Sequence, residues 1–135
     1  MKKKSTLGLG AIALGMLMAG HAVAADEYQA LLKDRKFAEV EKATTAKLAE
    51  DPTDAGAMIA RTRAILGIRD GRYEEAEAQA EKCVAKYPAN GGCHVVLGKA
   101  LGSKAIAGGI TSALGYAGTI RDSFKKAVEL NPRDF

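Results

Sequence analysis

Three prolines, Pro52, Pro88 and Pro132, each close a stretch whose apolar side chains recur at helical spacing, and the phase relative to the proline is shared. Before Pro88 the stripe runs Tyr73, Ala76, Ala80, Cys83, Val84 and Tyr87; before Pro52 it runs Phe37, Val40, Thr44 and Leu48; before Pro132 it runs Ile120, Phe124, Ala127 and Val128. Steps of three and four residues turn one face of each stretch toward a core. Val40, Ala76 and Ile120 each lie twelve residues ahead of their proline. One such match arises easily by chance; three together indicate a repeated helical unit.

A further helical stretch precedes each stripe: Asp26 to about Lys33, Asp54 to Asp70, and Asn90 to about Ala107. Asp54 and Asn90 are expected N-caps, since a short polar side chain accepts from free amides of the first turn. Gly71 is the expected C-cap, because glycine takes a positive φ without penalty and lets the chain reverse. The expected fold is all-α, built from antiparallel helix-turn-helix pairs stacked about three deep.

The units differ in length. From Pro52 to Pro88 is 36 residues, whereas from Pro88 to Pro132 is 44. The longer unit holds Gly102, Gly108, Gly109, Gly115 and Gly118. Glycine in a helix interior costs about 1 kcal/mol relative to alanine, so a break or loop is expected near Gly108-Gly109. Thr119 and Asp122 offer a capping box that would start the last helix late.

The first 24 residues stand apart. Lys2, Lys3 and Lys4 precede an uncharged apolar run from Leu7 to Gly20, followed by Ala22-Val23-Ala24. That order reads as a signal peptide, residues 1–24, with a helical domain over 25–135. The run is shorter than the roughly 20 apolar residues a permanent span needs. With no cysteine between it and Asp26 to carry a lipid, the expected product is periplasmic or secreted. Residues 25–135 carry 17 basic against 16 acidic side chains, a net of +1, with 13 of the acids before residue 82. The basic residues are spread singly and lack interleaved aromatics, which argues against nucleic acid as a partner.

The pieces Gly71-Arg72-Tyr73-Glu74-Glu75-Ala76 with Pro88, Leu97-Gly98, and Ala127-Val128-Glu129-Leu130-Asn131-Pro132 resemble the tetratricopeptide repeat, over most of residues 25–135. The chain also resembles exported bacterial tetratricopeptide proteins with a similarly stretched third unit. The resemblance implies a short α-solenoid whose concave side holds a peptide or protein. Two departures stand out, the stretched third unit and a chain that stops soon after Pro132.

Candidates for chemistry are few. Cys83 and Cys93 lie across one turn, and an oxidising compartment would favour a disulfide, while the place of Cys83 in the apolar stripe suits a packed thiol equally well. With His94 they make a poor zinc or redox site, because ligand number and spacing are wrong. His94 is the only histidine after residue 24, so a hydrolase has little to work with, and it is expected to pack near Leu97-Gly98. The glycines of 102–118 lack the Gly-Lys-Ser/Thr ending that grips phosphate. The acids from Glu74 to Glu81 are expected on a solvated face.

Neither catalysis nor a cofactor nor a metal is therefore expected. The leading expectation is a non-catalytic adaptor that binds a protein or peptide, with Arg61, Ile65, Arg69 and Lys99 facing the partner. The alternatives are an accessory or small-ligand protein using the insertion 102–118, and a remnant of a longer protein. A core with many alanines is also expected to gain stability from a partner or from self-association.

Overall fold

The structure is a computed structural model that describes residues 26–134; the signal peptide expected at 1–24 lies outside the described residues. Among these residues there is helix and turn, without strand. Helix α1 occupies residues 26–33. It is followed by α2 (Phe37–Glu50), α3 (Ala55–Ile68), α4 (Tyr73–Lys86) and α5 (Gly91–Leu130), then a 3-10 turn, Pro132–Asp134.

The ends of these helices follow from local chemistry. Helices α2, α4 and α5 stop at Glu50, Lys86 and Leu130, and the capping residues Asp51, Tyr87 and Asn131 have φ of -131°, -128° and -135°. Asp51 and Asn131 immediately precede a proline, and so does Tyr87. The proline ring excludes the α conformation from the residue before it, which terminates each helix at the same place in its unit. At the starts, Asp54 accepts from the Ala57 amide at 2.7 Å, and Asn90 from the Gly92 amide at 2.9 Å. Both expected N-caps are present.

The first helices end differently from expectation. Arg35 has φ 60°, with its amide on the Leu32 carbonyl at 3.1 Å and the Lys36 amide on Leu31 at 2.9 Å. That is a Schellman termination with arginine where glycine is usual. Arg69 caps α3 in the same left-handed conformation, φ 59°, ψ 39°, and Gly71 follows with φ 85°. The cap expected at Gly71 therefore falls on Arg69, and Gly71 serves the turn after it.

Sequential helices pack antiparallel. The start of α2 meets the end of α3 where Phe37 lies on Gly67, and α4 meets α5 where Ala76 approaches Ala100 and Cys83 bonds to Cys93. Bonds from Arg63 to Gln29 and from Tyr87 to the Thr53 carbonyl, each spanning 34 residues, link equivalent points of alternate elements. The core is mostly small side chains in three clusters: Val40, Ala57, Ala60 and Ala64 with Tyr28; Met58 with the two cysteines; and Ile65 with Ala76 and Ala100. Alanine ridges let backbones approach closely, so buried area comes from proximity rather than from large groups.

Helix α5 is two helices joined at one residue. Gly109 has φ 81° and ψ -169°, a region open essentially to glycine alone. Residues 110–130 fold back along 91–108, bringing Phe124 onto Gly98 and Asn131 beside Gly91. The break expected near Gly108-Gly109 is there, confined to one residue. The late start expected at Thr119 is not: the returning arm is already helical there, Ser123 Oγ donates to the Thr119 carbonyl at 2.8 Å, and Asp122 pairs with Arg121. Because Gly109 supplies the whole reversal, no later cap is needed.

Candidate binding groove

A groove of about 440 Å³ opens between the α1–α2 turn, the end of α3 and the first arm of α5. Phe37 and Phe124 form its aromatic surfaces. Each ring lies directly over a glycine, Gly67 and Gly98, where a Cβ would come within 2.6 and 2.8 Å of ring carbons. Leu32, Leu66 and Ile106 add apolar wall. A second hollow of about 310 Å³ shares Arg63, Lys99 and Phe124 with the first, so the two are continuous along α5.

Among the described residues, four cations line this surface, Arg35, Arg63, Arg69 and Lys99, and no carboxylate does. Among the described residues none of the four has an ion-pair partner; Arg63 makes one long bond, 3.4 Å, to Gln29. Lys99 is exposed, yet burial against the groove wall, and after it the neighbouring Arg63, pushes its ammonium below the usual lysine range. An anion seated between Arg63 and Lys99 would offset that repulsion.

The opposite side of α3 is arranged the other way. Arg61 Nη2 meets Glu75 at 2.5 Å, Arg61 Nη1 reaches Gln79, and its Nε donates to Thr45 Oγ1 at 3.2 Å. Arg72 completes the network, with Nε on Glu75 at 2.8 Å and Nη2 on Glu41 at 2.5 Å. Bonds from Arg72, then from Arg61, hold the Glu75 carboxyl down to about 2. These groups tie α2, α3 and α4 together.

The expected site residues therefore divide. Arg69 and Lys99 line the groove. Arg61 does not, being committed to the network, and Ile65 does not, being 2% exposed against Ala76 and Ala100. Residues four apart do share a helix face, but at 61 and 65 that face is turned toward α4. Arg69 escapes it by leaving the helix in a left-handed turn. The acids expected on a solvated face are also partly engaged: Glu75 in the network and Glu77 with Lys104 at 2.6 Å.

Arg63, Arg35, Phe37 and Phe124 were missed. A signal existed for Arg63, which precedes Lys99 by the same 36 residues that separate Pro52 from Pro88. The cysteines form a disulfide with Cα atoms 5.3 Å apart, clasping α4 to α5. His94 is buried, with its Nε2 2.8 Å from the Pro88 carbonyl in the turn before α5. Residues 102–118 form a hairpin of helix rather than a glycine loop, giving Gly102, Ser103 and Ile106 to the groove edge. No helix among the described residues is long and apolar enough to cross a membrane. No protein-family model, curated protein or solved structure matches the chain.

Proposed function

We propose that the chain is a non-catalytic peptide-binding module of the tetratricopeptide kind, acting in the bacterial cell envelope, whose groove takes an acidic or carboxylate-ended segment of another polypeptide. The observation that carries this reading is the groove's composition: among the described residues, four cations without a carboxylate beside two aromatic rings. A cation held near apolar surface and short of a partner favours an anion with an apolar body, and a peptide carboxyl terminus is such a group. Support for a solenoid of repeats comes from the 34-residue step between bonded partners and from three helices ending two residues before proline. Export is supported by the order of charge, apolar run and small residues over 1–24.

The test is fluorescence anisotropy with a labelled decapeptide that ends in leucine and glutamate residues, against its C-terminally amidated and lysine-substituted twins. Binding is expected for the free acid only, weakening with salt. Arg63→Ala combined with Lys99→Ala is expected to reduce it about tenfold or more, the equivalent of about 1.4 kcal/mol. Equal affinity for all three peptides, or none for any, overturns the proposal.

A further inference from the structure

The α5 hairpin outruns its neighbours. The first residues of α4 lie level with Lys104, which meets Glu74 and Glu77, and Lys104 lies 5.5 Å from the Tyr116 ring on the returning arm. Beyond that level residues 106–111 are all exposed. Ile106, Ile110 and Leu114, 83%, 82% and 75% exposed, crown the reversal. From Ala105 to Ile120 there is no charged residue, while Lys104 and Arg121 stand at the two ends of this interval.

We infer that this tip is a membrane-docking wedge, which seats Ile106, Ile110 and Leu114 in the interfacial layer of an anionic lipid surface. The wedge meets the groove at Ile106, but its docking on lipid does not rest on peptide capture.

Three features favour a lipid surface over a second copy or another protein. The three exposed side chains offer much less than the roughly 800 Å² per partner that a stable protein interface requires. Insertion into an interface, in contrast, needs no complementary shape, and its strength grows with each apolar group placed about 5–10 Å below the headgroups. The charge is complementary too: Arg35 and Arg69, without an ion-pair partner among the described residues, share the groove that Ile106 borders, whereas Lys104 and Arg121 are already paired with Glu77 and Asp122. Tyr116 sits at the level of Lys104, where an aromatic body with a polar tip suits the boundary between acyl chains and headgroups.

The chain contains no tryptophan, so one introduced indole reports its own depth. The full chain carrying Ile110→Trp is mixed with vesicles of phosphatidylglycerol and phosphatidylcholine, with brominated lipid as quencher. Ala89→Trp, an exposed site in the α4–α5 turn at the other end of the hairpin, serves as control. The expected result is a blue shift and bromine quenching for Ile110→Trp alone, weakened in vesicles of phosphatidylcholine only. In the same Ile110→Trp reporter, Leu114→Asn is expected to lower partitioning about threefold or more, with acidic-peptide binding unchanged. Emission of Ile110→Trp that is identical with and without vesicles, or equal quenching at Ala89→Trp, overturns the inference. So does a concentration-dependent dimer, formed without lipid and abolished by Ile110→Asn, which would assign the tip to a second copy.

Discussion

Arg35 and Arg69 occupy the same left-handed backbone conformation, φ 60° and 59°, at the ends of successive first helices, and both side chains enter one groove. A residue with a Cβ pays roughly 1–2 kcal/mol for that conformation, and glycine pays none. Arginine at both turns therefore places a cation in the groove at the expense of stability.

Replacement by glycine should separate the two effects. Arg35→Gly and Arg69→Gly are each expected to leave stability unchanged or raise it by up to about 1 kcal/mol, since the gain in the fold is partly offset by greater freedom in the unfolded chain. Acidic-peptide affinity should fall in both. Thermal melting and anisotropy on the same samples check this; a lower melting temperature with undiminished binding would contradict it.

Arg61 should show the reverse pattern. Its bonds to Thr45, Glu75 and Gln79 join three helices, and it is absent from the groove. Arg61→Ala is expected to cost about 1–2 kcal/mol in urea unfolding with peptide affinity unaltered. Arg63→Ala, two residues on, is expected to leave stability within about 0.5 kcal/mol.

Acid should act on the same network. Glu75 is held near 2 in the folded chain against an ordinary 4.5, so the folded state binds fewer protons between these values than the unfolded one. Its contribution is present above about pH 4.5 and lost as pH falls through about 2. The melting temperature should decline over that window, and Glu75→Gln should flatten the decline. Because the carboxyl is substantially exposed, solvent screens the effect and the slope will be shallow.

The bridge between Cys83 and Cys93 closes a loop of sequence separation 10. Restricting the unfolded chain in this way contributes about 2–3 kcal/mol. Dithiothreitol is expected to lower the melting temperature by several degrees, and a Cys83→Ala, Cys93→Ala chain should no longer respond to it.

Glycines within α5 should divide by conformation. Gly109→Ala forces a side chain into a region that excludes it and is expected to cost about 1–3 kcal/mol. At Gly115 and Gly118 a Cβ would meet nothing within 4 Å, and helical alanine there should stabilise by up to about 1 kcal/mol each. Chemical denaturation of the three variants checks the opposite signs.

Much of the fold was legible because helix ends are decided locally. Prolines stop α2, α4 and α5 through contacts with the preceding residue, and Asp54 and Asn90 cap through bonds two or three residues long. The choice of Arg69 over Gly71 as cap was not legible, because either residue serves a reversal and the last turn of α3 decides which comes first. The groove was half legible. Of the residues expected to face a partner, Arg69 and Lys99 line the groove, whereas Arg61 and Ile65, at the same helical steps, lie against α4.

By itself, the order of residues determined that the chain is helical, where its helices stop, how the units repeat and that the long third unit must break at a glycine. These depend on interactions within a turn or two of one helix. Only the tertiary structure decided which face of α3 meets α4, that Arg63 lines the groove while Arg61 is bound in the network, and that Ile106, Ile110 and Leu114 are left exposed. A helical pattern states which residues lie together on a face; what that face meets is settled by neighbouring helices distant in the chain.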